Sequence, residues 1–528
     1  MLGVPVPATS GTHGRRVQPC SRIGVGVGIA FGTGAGFAIG VRTGAWAGLD
    51  FWAGFDLCAG FGLCAGFGIC AGFGLCAGFG ICAGIGKAFY IPWQFADIKT
   101  GIEVVVGGRL ENPEPGREYP KSAMRVFINA AAAVAGGGVT YLQHLISSLP
   151  PLSPKDFFIF AVPEGFVPAC SLTGSPAGST AIPATASAVG SAADTNIKAA
   201  LELPASCGNV RIFPVSESGK GLIDRFVWEN TTMLDLCERE AVDLLFCPAN
   251  IVPMRNPKIP LVVMLQNIAP FYPRVRRMLA HFEGKAAAMR QLLLEFLSVT
   301  AVRKSDLVLF LSEASRGVVE RREGHLRAEV IPHGRSIQFH PANKLPDEAP
   351  HGPFFLFVSN LYVYKGLEIL VDALALAPEL PPVAIIGHPF NSGYFAWIQK
   401  KIEEKCLGKR ISFHKAVPNS ELPGWYSNAI ALVFPSWCES FGMTPLEAMA
   451  CGCPVVALRA GPVPEVCGDA AWYAEAPTGH SLMAAMQKAA EHGNDRHYRL
   501  RAVKRAGRFS WEDTMRKHLQ AFQGVLAD

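Results

Sequence analysis

Two consecutive α/β units, each a parallel sheet covered by helices on both faces, are the fold that this sequence predicts, behind a glycine-rich low-complexity segment. Three observations carry that prediction. From Met124 onward, short β-branched or aromatic runs alternate with longer amphipathic stretches. The alternation stops in a proline-rich stretch between His340 and Gly352 and then restarts. Residues 1–122 show neither feature, so they stand apart from the rest.

That first segment repeats a hexad, AGFGLC or AGFGIC, from Ala53 to Gly86. Three readings compete. As a strand, the hexad puts Ala, Phe and Leu/Ile on one face and Gly, Gly and Cys on the other, which suits a β-solenoid but leaves almost nothing polar to face water. As a membrane segment, Leu57 to Gly86 is uncharged and long enough, and so is Ile23 to Val41 behind Arg15, Arg16 and Arg22. Glycine at every second or third position opposes a helix there, at roughly 1 kcal/mol each. Third, a near-perfect short repeat is what a translated tandem DNA repeat looks like, and Met124 opens a natural first strand. The preferred expectation is this mis-assigned start, with 1–122 disordered or outside the natural protein.

The chain has 528 residues, half of them apolar, which suits more than one core. Its formal charge of +5 is mild, and no Lys/Arg-rich run of the kind that grips a phosphate backbone is present, so a nucleic-acid partner is not expected. Of the 15 cysteines, five (Cys58, Cys64, Cys70, Cys76, Cys82) belong to the repeat and many others lie in apolar runs. The pattern is not that of a disulfide scaffold. The closest pair, Cys451 and Cys453, has no second pair or His cluster beside it, so no metal site is expected. A reducing cytoplasm fits this usage.

In the first unit, residues 123–342, the runs Arg125-VFIN, Phe157-FIFAV, Val210-RIFPV, Asp243-LLFCP, Pro260-LVVMLQ and Asp306-LVLFLS read as buried strands. Val139–Leu149, Ile223–Glu240 and Val275–Arg303 read as helices among them. Pro168 to about Ala200 is rich in Ala, Ser, Thr, Gly and Pro and reads as a surface insertion. The second unit, residues 343–510, restarts with Phe354-FLFVSN, a helix from Gly366, Val383-AIIG, a helix near Tyr394–Glu404, Ile411-SFH, Ile430-ALVF and Pro454-VVAL. Residues 511–528 read as a terminal helix. Open α/β sheets bind ligands beyond the carboxyl ends of their strands, so loops of both units should face a shared cleft.

The stretch from Ile430 to Ala457 carries the chemistry: a strand, the loop PSWCESFGM, the short helix TPLEAMAC, Gly452 as a stop, and another strand. Thr444 suits an N-cap, Pro445 the first helical position, and Glu447 the third position after the cap, so a capping box is the bland reading of Glu447. The functional reading rests on its neighbours. Glu439 lies in the loop before the helix. A helix N-terminus suits a diphosphate, and a carboxylate beside it can accept hydrogen bonds from a ribose diol. Ser440, Phe441 and Gly442 let backbone approach a sugar closely, because Gly442 has no side chain. Lys365 opens a helix after FFLFVSN, where a cation is disfavoured by about 0.3–1 kcal/mol unless an anion is near. Its bland reading is an exposed lysine. Gly136, Gly137 and Gly138, between strand RVFIN and the first helix, form a candidate phosphate cradle, or plain turn chemistry. The dinucleotide fingerprint is absent there, which argues against an NAD enzyme.

These pieces resemble a known family. FVSNLYVYKG, VAIIG, ELPGWYSNAIALVFPSWCESFGMTPLEAMACGCPVVA and GPVPEVCGDAA are similar to the donor domain of retaining family-4 glycosyltransferases (glycosyl transferases group 1), which have the GT-B fold of two Rossmann-like domains. SDLVLFLSEAS and AEVIPHGRSIQFHP match the first domain more loosely, and FSWEDTMRKHLQAF resembles the family's last helix, which packs back on that domain. The resemblance implies that Glu439 lies at the transferred sugar, Glu447 binds the ribose hydroxyls and Lys365 neutralises the leaving diphosphate, with amides near Gly137 and Gly442 assisting. It also implies a UDP- or GDP-linked sugar as donor substrate, no separate cofactor and no metal, consistent with the lack of an Asp-x-Asp triplet. Two positions depart from the common pattern. Asn360 stands where many members have an Arg facing the phosphates, and Gln266 and Asn267 stand where many have a His. Arg335 is a candidate substitute whose bland reading is a solvated loop residue.

The expected function is therefore transfer of a hexose, with retention, to a glycan or lipid-linked acceptor in the cytoplasm, with peripheral contact at the inner membrane face expected from the family alone. One alternative is a catalytically weak homologue that binds nucleotide sugars or glycans as a partner subunit. A dead copy has no reason to keep Lys365, Glu439 and Glu447 together. Another is a structural or membrane-anchored protein defined by its glycine repeat.

Overall fold

A computed structural model of the chain describes residues 123–133, 137–166, 209–216, 222–342, 344–414 and 417–527, together with the backbone of eight short strands between Gly26 and Ala83. Most of residues 1–122, the insertion expected from Pro168 to Ala200, and Gly136 lie outside the described residues.

The eight strands belong to a separate unit, Met1–Pro115. They are β1 (Gly26–Ile29), β2 (Ile39–Arg42), β3 (Phe51–Ala53), β4 (Asp56–Ala59), β5 (Gly62–Ala65), β6 (Gly68–Ala71), β7 (Gly74–Ala77) and β8 (Gly80–Ala83). Alternate hexads pair in parallel, with Gly62 opposite Gly74 in one stack and Gly68 opposite Gly80 in another. Among the described residues no helix is long and apolar enough to cross a membrane.

The first α/β domain runs β9 (Arg125–Asn129), α1 (Gly137–Leu152), β10 (Phe157–Pro163), β11 (Val210–Val215), α2 (Leu222–Asn230), α3 (Thr232–Arg239), β12 (Leu244–Cys247), β13 (Leu261–Leu265), α4 (Pro273–Phe282), α5 (Lys285–Lys304), β14 (Leu307–Phe310), α6 (Glu313–Glu323) and β15 (Ala328–Val330). Its strands are all parallel, in the order β11-β10-β9-β12-β13-β14-β15. The central strands are apolar and buried throughout, because helices cover both faces.

The second domain repeats the plan with β16 (Phe355–Val358), α7 (Leu367–Leu376), β17 (Val383–Ile386), α8 (Ser392–Glu404), β18 (Ile411–His414), α9 (Leu422–Asn428), β19 (Leu432–Phe434), α10 (Met443–Ala450), β20 (Val455–Leu458), α11 (Val463–Cys467), β21 (Ala471–Ala474), α12 (Gly479–His492) and α13 (Arg496–Ala506). Its order, β18-β17-β16-β19-β20-β21, reverses direction between β16 and β19, as the first sheet does between β9 and β12. Each reversal opens a crevice at the carboxyl ends of the strands.

The chain then returns. α14 (Trp511–Ala527) packs on α1 of the first domain, with the Tyr141 hydroxyl 2.7 Å from His518 Nε2 and Thr514 Oγ1 donating to the Pro332 carbonyl at 2.7 Å. Gly334 passes so close that a Cβ there would lie 2.1 Å from the Trp511 amide nitrogen.

Two helices expected as continuous are broken. Residues 275–303 divide into α4 and α5 because Gly284 takes φ +87°, a conformation that ends one helix and starts the next at a new angle. Residues 223–240 divide into α2 and α3 at Thr231, whose φ −125° and ψ −88° are not helical. The edge strands β15 and β21, short and only partly buried, were not anticipated from the apolar runs.

Candidate functional site

The site is assembled by two loops at the reversal point of the second sheet. The loop after β16 (360–366) and the loop after β19 (435–442) are stitched together. Ser436 Oγ and the Trp437 amide both donate to the Tyr364 carbonyl at 3.2 Å. Gly366, at φ +72°, comes so near the second loop that a Cβ would lie 2.1 Å from the Pro435 carbonyl oxygen, so only glycine fits. This stitching brings Lys365 Nζ to 2.6 Å from Glu439 Oε1, with both side chains 14% exposed. The lysine is therefore neither solvated nor idle. Its ammonium also lies 5.5 Å from the ring centres of Tyr364 and Phe434.

α10 begins two residues earlier than the capping-box reading requires. Its N-cap is Gly442, at φ +115°, with no side-chain cap, and Thr444 and Pro445 lie inside the first turn. No capping box forms, because the chain needs a left-handed residue to turn from the loop into the helix and threonine tolerates that poorly. Glu447 is thereby left for another partner: the Tyr426 hydroxyl donates to its Oε2 at 3.4 Å. Burial pushes Glu447 up to about 8, and the Tyr426 hydrogen bond opposes this only in part. Tyr426 itself is fully buried, and burial with Glu447 beside it raises its phenol well above the ordinary value.

The other predicted donor-side residues divide. Gly442 serves through its backbone conformation, since a Cβ there would meet only ordinary contacts with Pro445. Ser440 bolts the domains together: its hydroxyl donates to the Gln266 carbonyl at 2.6 Å, while its carbonyl accepts from Ser312 Oγ and Ser315 Oγ at 2.9 Å. The Phe441 ring is buried against His333 and Phe509, so only its backbone is free for a ligand. Asn360 is exposed at the end of β16, and its carbonyl accepts from the Tyr362 amide at 2.9 Å.

Because Ser440 meets Gln266 after β13 and Ser312 after β14, the carboxyl ends of the two sheets face one another. Two carboxylates clasp them reciprocally. Glu465 of the second domain accepts from the Glu313 and Ala314 amides at 2.9 and 2.7 Å, at the start of α6. Glu283 of the first domain accepts from the Gly393 and Tyr394 amides at 3.0 and 3.2 Å, at the start of α8. Arg274 lies 4.4 Å over the Trp437 ring beside them.

On the first-domain side, Gly137 and Gly138 form the head of α1, and a Cβ at Gly137 would meet nothing within 4 Å. No described contact joins them to Lys365 and Glu439. Arg335 is an exposed loop residue, as its bland reading holds. Sequence reasoning missed Asn250 and Asn129. Asn250, in a left-handed conformation at φ +62°, holds the Gln266–Asn267 loop by accepting from the Asn267 amide at 2.9 Å and donating to its carbonyl at 2.6 Å. Asn129, buried at the end of β9, donates to Glu229 Oε1 at 3.1 Å and leaves its own Oδ1 without a partner. A strand run ending on a buried asparagine was the available signal. Among the described residues no group of three or more His, Cys, Asp or Glu is placed to hold a metal ion.

Two parallel-sheet Rossmann-like domains facing a cleft across their carboxyl edges make this a GT-B fold. Residues 343–506, from the hinge to α13, match the family model described as glycosyl transferases group 1. Among curated relatives, a D-inositol 3-phosphate glycosyltransferase from Frankia alni is 30% identical over 227 residues, which cover 38% of this chain and 54% of the relative. The chain spans about half the length of the curated relatives it matches. Among solved structures, sucrose-phosphate synthase from Thermosynechococcus elongatus superposes with a TM-score of 0.55 at 17% identity, over 76% of this chain and 99% of that one. Anabaena HepE in complex with UDP-glucose superposes with a TM-score of 0.52 at 16% identity, over 76% of this chain and 100% of that one.

Proposed function

We propose that the protein is a retaining, metal-independent glycosyltransferase of family 4 that moves a hexose from a nucleotide diphosphate sugar to a glycan or lipid-linked acceptor. The observation that carries this is the Lys365–Glu439 pair at the sheet reversal point, in the loop that leads into α10, a helix that starts without a side-chain cap and carries Glu447. The geometry has the parts that departure of a nucleoside diphosphate demands: a cation, free helix-terminal amides and carboxylates for hydroxyl groups.

In this reading the diphosphate sits between Lys365 and the first turn of α10, where fixed positive charge meets the charge that grows as the glycosidic bond breaks. Its arrival draws Lys365 from Glu439, freeing that carboxylate for the transferred sugar. Glu447 takes the ribose diol. Gly137 and Gly138 add amides from the facing domain. The family match over 343–506 and the names of the curated relatives support the activity. UDP or GDP is the favoured nucleotide.

Thermal unfolding of the full chain with UDP-, GDP- and ADP-sugars, alongside Glu447→Ala, tests this. A ligand at about 100 times its dissociation constant adds roughly 2.7 kcal/mol of stability. One nucleotide class should stabilise the wild type and leave the variant unmoved. If no class does so on a folded protein, the transferase reading fails and a partner-subunit role takes its place.

A further inference from the structure

A single exposed phenylalanine needs no explanation, but two aromatic rings fixed side by side at the mouth of a cleft do. Phe390, in the loop after β17, is 57% exposed, and its ring centre lies 4.3 Å from that of half-buried Tyr362 in the loop after β16. The two loops are tied together. Leu361 and Pro389 form a parallel bridge, the Leu361 amide donates to the His388 carbonyl at 2.9 Å, and the Val363 amide donates to Oδ1 of buried Asn391 at 3.1 Å. Backbone ties between the loops therefore hold the ring pair in place.

The rings lead inward to the reacting end of the site. Tyr364 stacks on Tyr362 at 5.3 Å with the planes 8° apart, and Lys365 Nζ lies 5.5 Å from the Tyr364 ring centre. Each step is about as long as a pyranose unit with its linkage. The first domain faces the same rings: Arg290 of α5 opposes the upward shift that burial gives the Tyr362 phenol. Arg290 and His388 are exposed, and among the described residues neither side chain has a hydrogen-bond or ion-pair partner.

We propose that Phe390 and Tyr362 form an acceptor subsite for an oligosaccharide, holding the sugar units behind the one that receives the transferred hexose. A pyranose has an apolar face of C–H groups and a rim of hydroxyls. Flat rings match the face, and the free Arg290 and His388 side chains beside them match the rim. A lipid tail has no use for those polar neighbours. Calling the saccharide an acceptor rests on the glycosyltransferase reading; its binding to the ring pair does not.

Calorimetric titration of the full chain, with UDP or GDP present, with malto-, cello- and manno-oligosaccharides of increasing length is the test. In at least one series affinity should rise with length, by about fivefold or more for the units that reach the rings. Phe390→Ala and Tyr362→Ala should each abolish that rise, and Phe390→Trp should keep it. Melting temperature and donor-induced stabilisation should match the wild type in all three variants. The inference is overturned if affinity ignores length in every series, or if the rise survives both alanine variants. It is also overturned if Phe390→Ala removes donor-induced stabilisation, since the rings then serve the nucleotide. If no nucleotide sugar stabilises the chain but length-dependent binding holds, the glycosyltransferase reading fails and the saccharide site stands.

Discussion

Lys365 and Glu439, 74 positions apart in sequence, meet as an ion pair at 2.6 Å with only 14% of each side chain exposed. Neither loop alone fixes this contact. It follows from the Gly366 approach to Pro435 and from the shared Tyr364 carbonyl. Removing one partner leaves the other charge without its counter-ion in a half-closed site. Lys365→Met is therefore expected to lower kcat by about 100- to 1,000-fold. Denaturant unfolding of Lys365→Met, Glu439→Gln and the double variant should show coupling of about 0.5–3 kcal/mol. Additive losses would mean the pair is not an energetic unit.

Glu447 is held up to about 8 by burial, so it is largely protonated at neutral pH, whereas a carboxylate is the better acceptor for a ribose diol. Donor binding should then release up to one proton at pH 7. Calorimetry in buffers of different ionisation enthalpy measures this, and Glu447→Gln should abolish it. The stability term has a definite sign. A raised folded value contributes stability that is full below the unfolded value near 4.5 and is lost as pH rises through about 8. Glu447→Gln should flatten unfolding free energy across that window. Proton release that survives in the variant would assign it to another group.

The reciprocal clasps predict how the cleft opens. Each carboxylate sits on helix-terminal amides of the other domain, an interaction worth roughly 0.3–2 kcal/mol. Glu283→Ala with Glu465→Ala should increase the radius of gyration in solution scattering and weaken donor affinity, while each domain keeps its fold. An unchanged scattering profile would show that the aromatic contacts and Ser440 hold the cleft unaided.

Acid should loosen the return helix. Burial holds His144 and His518 near 4 and His333 near 3, and neighbouring imidazoles add to the shift at His333. Folded values below the unfolded value near 6.5 contribute stability that is full above that pH and is lost as pH falls toward 4. For fully buried His518 this is worth on the order of 3 kcal/mol. Unfolding midpoints should fall between pH 6.5 and 5, and His518→Gln should reduce the slope. A midpoint insensitive to pH across that range would contradict the buried-neutral arrangement.

Much of the architecture was legible in the order of residues. Buried parallel strands need continuous apolar runs, and RVFIN, FFIFAV, LLFCP, LVVMLQ and LVLFLS stand out for that reason. Lys365, Glu439 and Glu447 were legible because charged groups flanking a short helix start are chemically unusual. Tyr426 and Asn250 were not, since a tyrosine in an apolar helix and an asparagine in a loop look ordinary until their partners are known. Thr444 misled, because a good capping residue two places inside the helix carries the same local signal as one at its end.

The sequence by itself determined where most of the strands and helices of the two α/β domains lie, which domain carries Lys365, Glu439 and Glu447, and that residues 1–122 differ in kind, because these depend on period, composition and neighbours along the chain. Only the tertiary structure decided that Lys365 faces Glu439, that Gly442 rather than Thr444 starts α10, that Ser440 and Phe441 serve the domain interface, and that the Phe390 and Tyr362 rings meet. Each of those depends on backbone angles and on contacts between residues tens to hundreds of positions apart, which no local pattern encodes.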